Sequence, residues 1–391
     1  MPTSSHRRSR TAGPRRTLTL CLAAVLGLTF LTAPVQAAHP SGLPTRLQQA
    51  LDRVVAAGVP GAIAWVRVGD RTMRLASGHS NLAPETPMRA NLRARIGGIT
   101  KSFTATVVLQ LVAEHRLALD DSLEQVLPGV ISNGEDIRIR QLLNHTSGIF
   151  DYVKDPRTLA PYEAGDLTLI FDPADGVRYA AEHGPQFVPG EGFEYSNTNY
   201  LLLAMIAETI TGRSIGSLLR TRIFAPLGLG HTSYPMTSTI LGPHVHGYLA
   251  DEPRLDVTDF SPTVSSASGA ILSNAGDLAR FYEALLRGRL IPRRLLNEMQ
   301  TIDPVATGGI PDAGILGGGW GLGLLRENFP CGEAWGHDSE TLGYMTAAWS
   351  NRSATRQVVV FVNSNYDHDA PVSQAMRDVL VTAYCGGSDQ L

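Results

Sequence analysis

Strand-like segments lie at both ends of the 391-residue chain, and a long helical section separates them. Residues 62–68 and 72–76 form an apolar hairpin pattern near the start. Residues 342–349 and 357–363 are again strand-like, and a helix is predicted over about 372–384. This order predicts an α+β fold (an α/β sandwich), in which one antiparallel sheet built from both termini is flanked by helices and an all-α lobe is inserted.

The amino terminus has the composition of an export signal. Five arginines precede an apolar run over residues 18–31, and small residues at Val35 and Ala37 provide a cleavage site. The run is about 14 residues, which is too short to span a bilayer as a stable helix. We therefore expect residues 1–37 to be a signal peptide, cleaved near Ala37, and the mature protein to be secreted without a stable membrane anchor.

The mature chain, 38–391, is predicted to be one domain with two lobes. Residues 38–96 and about 300–391 form the α/β lobe, and about 97–299 form the mostly helical lobe. The chain has 33 Lys and Arg against 36 Asp and Glu, and no long basic run lies beyond the first twenty residues. This charge pattern argues against a nucleic-acid partner. We expect a monomer that acts on a small-molecule or peptide substrate.

Two cysteines, Cys331 and Cys385, remain after cleavage of the signal peptide. An oxidising compartment favours a disulfide between them, and the alternative is two free buried thiols.

Lysine is rare in this chain. Lys101 and Lys154 are the only two among 33 basic residues, and all the others are arginine. Arginine does not release a proton near neutral pH, whereas a buried lysine can. Lys101 is therefore a candidate for proton transfer, with chance retention as the alternative.

Other motifs point to no cofactor or metal. Residues 212–216 match G-x-S-x-G, but they follow a predicted helix and not the strand that a nucleophile elbow needs. The histidines lack the spacing of a metal site.

Three segments carry more information. They are RIGGITKSF at 95–103, PGEGFEYSN at 189–197 and WGHDSE at 335–340. The last of them is expected to lead into a strand. With LLNHTSG at 142–148, they make the mature chain resemble the serine β-lactamase and penicillin-binding D,D-peptidase superfamily. The similarity is greatest to its class C-like branch of secreted D,D-carboxypeptidases and esterases. The resemblance covers nearly the whole mature chain and implies the fold predicted above.

The resemblance also implies roles for individual residues. Lys101 matches the lysine of an S-x-x-K motif, which takes a proton from the nucleophile, and Tyr195 matches the acid/base tyrosine of Y-x-N. His337 matches the basic residue of the third motif. The substrate-binding positions are Asn197, the Gly98 and Glu340 amides of an oxyanion hole, and Ser339, which stands where glycine is usual.

One position departs from the family pattern. The resemblance places Gly98 where the family has its nucleophilic serine, and glycine cannot form an acyl-enzyme. Two other hydroxyls are considered as substitutes: Ser102, one helical turn deeper, and Ser339, on the rim of the predicted site. Ser196 is expected to face the lysine as part of a hydrogen-bond network.

Two functions follow from this departure. In the first, Lys101 or Tyr195 activates a water or an acceptor in the space beside Gly98, without a covalent intermediate. In the second, the chain is a pseudoenzyme that binds peptides or acylated ligands in an inherited cleft. In either case the acidic Asp338 and Glu340 predict that a free carboxylate leaving group is disfavoured relative to an ester, an amide or an amine-bearing group.

Overall fold

The computed structural model describes residues 42–251, 253–307, 318–366 and 371–386. The predicted signal peptide, residues 1–37, lies outside the described residues, so the prediction of secretion stays a prediction.

An eight-stranded antiparallel sheet forms the base of the fold, in the order β3-β2-β1-β10-β9-β8-β7-β6. Its strands are β1 Gly61–Val68, β2 Arg71–Leu82, β3 Glu85–Pro87, β6 Gly318–Trp320, β7 Leu325–Phe329, β8 Gly332–Thr341, β9 Tyr344–Ser350 and β10 Arg356–Val362. The pairing of β1 with β10 joins the two ends of the chain, with Ala64 opposite Val360. A separate two-stranded sheet consists of β4 Ala94–Arg95 and β5 Leu272–Ser273.

The central strands are buried on both faces. In β1, Ala62, Ala64 and Val66 contribute to one hydrophobic core, whereas Ile63 and Trp65 contribute to the other. Successive strand side chains point to opposite faces, so a strand covered on both sides needs an unbroken apolar run. The sequence of β1 meets that need.

Thirteen α-helices cover the sheet and build the inserted lobe among the described residues. They are α1 Leu43–Ala56, α2 Thr100–Ala113, α3 Leu123–Val126, α4 Ile139–Leu143, α5 Pro156–Glu163, α6 Pro173–His183, α7 Thr198–Thr211, α8 Ile215–Leu219, α9 Ala225–Leu227, α10 Ser266–Gly269, α11 Ala275–Leu286, α12 Arg293–Met299 and α13 Pro371–Cys385. Helices α1 and α13 pack on one face of the sheet, where Leu47, Leu51 and Val379 share a core with β1. The helical lobe packs on the other face.

Helix α2 lies at the centre of the molecule. A short 3₁₀ turn, Gly97–Ile99, leads directly into it. Nearly every α2 side chain is buried, including the polar Thr100, Lys101 and Ser102. A polar side chain in such a place needs partners within the protein, which makes this end of the helix a candidate site.

The predicted fold class is confirmed. The sheet is built from both ends of the chain, and the mostly helical section is inserted between them. The strands β6, β7 and β8 were not predicted, because their sequences are rich in glycine and charged residues. The WGHDSE segment, expected to lead into a strand, lies within β8. The helical lobe also contains β5, which pairs with β4.

A disulfide joins Cys331, between β7 and β8, to Cys385 at the end of α13. The two Cα atoms are 5.5 Å apart. The structure therefore contains the predicted bond, and the alternative of two free thiols is wrong. The bond holds α13 against the strands that carry the third motif.

Within the described ranges, no single helix is long and apolar enough to cross a membrane. One bent pair, Thr198–Thr211 with Ile215–Leu227, meets the length and composition requirement jointly. The same residues contain no group of three His, Cys, Asp or Glu side chains that could hold a metal ion.

Replacing both cysteines with serine is expected to lower the free energy of unfolding by about 2–4 kcal/mol, since the bond closes a long loop in the unfolded chain. Urea unfolding of the chain from residue 38 onward measures the change. Reduction of the parent should produce the same loss and leave the double variant unaffected. An unchanged unfolding midpoint in the double variant would show that the bond does not stabilise the fold.

Candidate active site

Lys101 is the central polar group of the site. It lies in the first turn of α2 and is 1% exposed. Its amine donates hydrogen bonds to Asn197 Oδ1 at 2.8 Å and to the Ser268 carbonyl oxygen at 3.0 Å. The Nζ atom also lies 4.7 Å from the centroid of the Tyr195 ring. The amine therefore faces the second predicted motif, as the sequence interpretation requires.

Burial changes the acid–base behaviour of this amine. Loss of hydration lowers the pKa of Lys101 to about 7, and the nearby negative charge of Asp151 opposes that shift. A group with a pKa near 7 exists in both protonation states at neutral pH. The neutral form of Lys101 can accept a proton, and the charged form can return it.

Asp151 fixes the orientation of Asn197. Its carboxylate accepts hydrogen bonds from the Asn197 backbone N–H at 3.1 Å and from Asn197 Nδ2 at 3.0 Å. The second bond directs Asn197 Oδ1 towards Lys101. Burial raises the pKa of Asp151, while its hydrogen bonds and Lys101 act to lower it. Asp151 thus connects the Y-x-N motif to the lysine.

Tyr195 lies just before α7 and is held by aromatic neighbours. Its ring centroid is 4.6 Å from that of His145 and 5.5 Å from that of Trp320. Burial, reinforced by the charge of Asp151, raises the pKa of Tyr195 well above its ordinary value. The phenol keeps its proton at neutral pH. Of the two residues predicted to activate an acceptor, Lys101 is therefore the better base.

His337 lies on β8 with its side chain buried. Its Nδ1 contacts the Asp338 carbonyl oxygen, and its Nε2 has no hydrogen-bond partner among the described residues. Burial and the charge of Lys101 lower the pKa of His337 to about 3. The imidazole is therefore neutral, and the expectation of a basic residue here holds for its position but not for its charge.

Gly98 and Ser339 meet where the 3₁₀ turn faces β8. The Gly98 N–H donates a hydrogen bond to Ser339 Oγ. A Cβ at residue 98 would lie 3.2 Å from Ser339 Oγ, and 3.3 Å from both His337 Cε1 and Tyr195 Oη. The sequence interpretation placed a water or acceptor beside Gly98. In the structure the hydroxyl of Ser339 lies beside Gly98 instead. Its oxygen accepts the hydrogen bond of the Gly98 N–H, which the sequence interpretation assigned to the oxyanion hole.

A cavity of about 620 Å³ opens beside Gly98 and Tyr195, and His337 and Ser339 are not among its described lining residues. Gly98, Lys101, Tyr195, Asn197 and Glu340 all line it. Most of the remaining wall is apolar and comprises Val153, Leu159, Tyr162, Leu167, Leu249, Leu255, Val257, Phe260, Val264 and Leu342. A cavity of this size with a few convergent polar groups is typical of a small-ligand site.

The charged side chains of the cavity are unevenly distributed. Lys101 is the one cationic group among its described lining residues, and Glu163 and Glu340 are acidic. Glu340 Oε1 accepts a hydrogen bond from Asn365 Nδ2 at 2.6 Å. The rim of the cavity is thus acidic, while the single cation is buried at its base.

Two of the serines considered from the sequence lie outside this arrangement. Ser102 Oγ donates to the Gly323 carbonyl oxygen at 2.8 Å and is fully buried. Ser196 Oγ donates to the Phe150 carbonyl oxygen at 3.3 Å, and its N–H donates to His145 Nδ1 at 3.1 Å. The expectation that Ser196 faces the lysine is wrong.

Sequence reasoning missed three contributors to the site. Asp151 orients Asn197, the Ser268 carbonyl oxygen accepts from Lys101, and His145 packs against Tyr195. His145 lies in the LLNHTSG segment, which the sequence analysis recognised without assigning a function to this histidine. The contribution of Ser268 comes from its backbone and leaves no signal in the side-chain pattern.

The chain is similar in overall structure to two solved hydrolases. A D-stereospecific amidohydrolase from Streptomyces sp. is 37% identical, with a TM-score of 0.78, over 88% of this chain and 98% of that one. The D-amino acid amidase from Ochrobactrum anthropi SV3, complexed with D-phenylalanine, is 27% identical, with a TM-score of 0.77, over 87% of this chain and 98% of that one.

A third relative comes from sequence. Penicillin-binding protein 4 of Amycolatopsis lactamdurans is 30% identical over 303 residues, which are 73% of this chain and 76% of that protein. The Beta-lactamase family matches residues 47–383, which include most of both lobes and every predicted catalytic and substrate-binding residue. The chain therefore belongs to the β-lactamase and penicillin-binding protein superfamily.

Proposed function

We propose that this chain is a secreted, monomeric hydrolase that cleaves an amide or ester bond of a small D-amino acyl substrate. The observation that carries the proposal is the buried Lys101 amine, whose pKa of about 7 suits a general base at the base of a cavity. Two structurally similar relatives are named for D-stereospecific amide hydrolysis, which supports the choice of substrate. The predicted signal peptide supports export.

Three residues of the cavity have separate roles in such a reaction. Neutral Lys101 accepts a proton as the acyl carbon is attacked, and it returns that proton to the departing group. Tyr195 remains a protonated phenol beside the same point and donates a hydrogen bond. Asn197, fixed by Asp151, keeps the amine in place between an amide oxygen and the Ser268 carbonyl.

The cavity wall also indicates the form of the substrate. Its apolar side chains suit an aliphatic or aromatic amino-acid side chain. Glu163 and Glu340 at the rim would attract a free α-amine and repel a carboxylate. These charges support an amine-bearing substrate with an uncharged leaving group.

A second candidate is a binding protein without turnover. The observation that favours it is Gly98, which offers no side-chain oxygen at the start of α2. Its ligands would be the same amine-bearing acyl compounds, because the cavity is the same. The two candidates differ in whether Lys101 takes part in a reaction.

Replacing Lys101 with alanine is expected to lower kcat/KM for D-phenylalanine amide by at least about 100-fold, because the proton acceptor is lost. Lys154→Ala is the matched control, since that side chain is exposed and pairs with Glu194. Ammonia release measures both. Equal turnover by Lys101→Ala and the parent would contradict the proposed role of Lys101 as the base. A parent that binds the ligand without turnover would favour the second candidate, the binding protein.

The pH profile provides a separate test of the base. Activity of the parent should rise with pH through about 7, because Lys101 must lose its proton to act as a base. Asp151→Asn removes a charge that raises the pKa of Lys101, so its rising limb should move to lower pH. Initial rates from pH 5 to 9 measure both limbs. A limb that moves to higher pH in the variant would contradict this electrostatic assignment.

The acidic rim predicts the leaving group. D-Alanyl-D-alanine amide should be cleaved with a kcat/KM at least about tenfold above that of D-alanyl-D-alanine, equivalent to about 1.4 kcal/mol. Glu340→Gln should lower the ratio of the two kcat/KM values, because it removes one negative charge at the rim of the cavity. Chromatographic product analysis of the two peptides gives the ratio. Preference for the free acid would show that the rim does not select against a carboxylate.

A further inference from the structure

The hydroxyl of Ser339 is held at the mouth of α2 by the opposing strand. Its Oγ accepts the Gly98 N–H, and it donates to the Glu340 carbonyl oxygen at 3.2 Å. Ser339 is partly exposed and is not itself a lining residue of the cavity, but its two hydrogen-bond partners, Gly98 and Glu340, both line it. A substrate carbonyl bound in the cavity would therefore lie beside this hydroxyl.

The glycines opposite Ser339 make room for it. A Cβ at residue 97 would overlap Ser339 Oγ, and Gly97 has a φ of +47°, which disfavours other residues. A Cβ at residue 98 would lie 3.2 Å from the same oxygen, which is a crowded contact. The serine hydroxyl at residue 339 therefore fits because residue 98 is glycine. Side chains at both positions would crowd each other.

Neighbouring hydroxyls are committed elsewhere. Ser102 donates to the Gly323 carbonyl oxygen, Ser196 to that of Phe150, and Ser268 Oγ to that of Ser265. Ser339 also donates to a backbone carbonyl, but it differs from these serines because a backbone N–H of the 3₁₀ turn that leads into the 14-residue α2 donates to its oxygen. Such a donor, together with the positive end of the helix dipole, stabilises negative charge on an oxygen bound at this place, and the acyl oxygen can take the bond once Ser339 rotates.

We propose that Ser339 is the nucleophile of this protein, delivered from β8 to the place that Gly98 leaves open. The inference rests on the hydrolase function proposed above and names the atom that attacks. It replaces a direct attack by water with a covalent acyl-enzyme.

A proton path from Ser339 requires its hydroxyl to turn from the Glu340 carbonyl oxygen towards Tyr195. Tyr195 Oη and Ser339 Oγ each lie within 3.3 Å of the point where a residue-98 Cβ would be. Lys101 Nζ lies over the Tyr195 ring. His337 and His145 are the other nitrogen bases near Tyr195, but burial and the charge of Lys101 lower the pKa of both, which leaves them weaker bases than Lys101. Lys101 is therefore the final proton acceptor.

The reaction balances with water as the only co-substrate. Rotation about the Ser339 Cα–Cβ bond first turns the hydroxyl from the Glu340 carbonyl towards Tyr195 and frees the Gly98 N–H for the acyl oxygen. Ser339 Oγ then bonds to the acyl carbon as the carbonyl π pair moves to the acyl oxygen. The Ser339 proton passes to Tyr195, which gives its own phenolic proton to the neutral Lys101 amine. The C–N or C–O bond to the leaving group then breaks, and the proton returns along the same path to that group. Water next attacks the ester carbon and gives a proton through Tyr195 to Lys101. The bond between the acyl carbon and Ser339 Oγ then breaks, the proton returns to Oγ, and the acid is released.

Three variants and one trapping experiment test the assignment. Ser339→Ala should lower kcat/KM for D-phenylalanine p-nitroanilide by at least about 1,000-fold. Ser77→Ala is the matched control, because this serine lies on β2 of the same sheet and contacts Asp52. Gly98→Ser combined with Ser339→Gly relieves the 3.2 Å contact and returns a hydroxyl to the site, so it should recover part of the lost activity.

Trapping locates the covalent bond in the parent itself. The chain is mixed with D-phenylalanine p-nitrophenyl ester, quenched in acid and digested for peptide mass spectrometry. The acyl group is expected on Ser339 in the parent and on residue 98 in the double variant. Thermal unfolding of each variant confirms that loss of activity is not loss of fold.

The outcomes separate this inference from the proposed function. An active parent with an adduct on another residue, or with Ser339→Ala as active as the parent or more active, overturns the nucleophile and leaves the hydrolase standing. Higher activity in Ser339→Ala would mean that the hydroxyl blocks the Gly98 amide. A parent that neither hydrolyses nor becomes acylated by these D-phenylalanine probes overturns both.

Discussion

The removal of the Lys101 amine from water is the constraint on which the site depends. An ammonium group buried to this degree is costly unless partners replace its hydration. Asn197 Oδ1 and the Ser268 carbonyl oxygen supply two hydrogen bonds, and the Tyr195 ring covers another side. Asp151 holds Asn197 in turn. The shell that keeps the amine inside the protein thus also sets its pKa near neutrality and points it at the cavity.

The sheet sets the geometry on the opposite side. Strand β8 lies against the 3₁₀ turn that begins α2, and it is fixed between β7 and β9. His337 and Ser339 project from the same face of this strand because they are two residues apart. The site is assembled from two rigid elements, the start of a helix and a strand. The side chain that fits at residue 98 therefore depends on the side chain at residue 339, and the reverse.

Much of the fold followed from the sequence. The unbroken apolar runs of β1 and β10 and the helical periodicity of α1 and α13 predicted the sheet from both termini. The strands β6 to β8 were missed, because their glycines and charged residues do not alternate as a half-buried strand should. Strand β8 is held by its neighbours and not by its own propensity, and this is a tertiary effect that a single sequence does not show.

The candidate site was predictable at the level of motifs. Lys101, Tyr195, Asn197, Gly98, His337, Ser339 and Glu340 were all named, and the structure brings them to one place. Their environment was not predictable. The neutral state of His337 follows from its burial, and the bond between Gly98 and Ser339 joins residues 241 positions apart. Ser268 acts through its backbone carbonyl, which accepts a hydrogen bond from Lys101. Asp151 acts indirectly, because it holds Asn197, which in turn contacts Lys101.

The protonation state of Lys101 can be observed directly, because the chain has only two lysines. Lysine-specific isotope labelling gives one NMR signal from each side chain, and Lys154→Arg assigns them. The account predicts that the Lys101 signal titrates at a pH of about 7. A Lys101 signal that titrates near the ordinary lysine value of about 10.4 would contradict it, since the amine would then be no base at neutral pH.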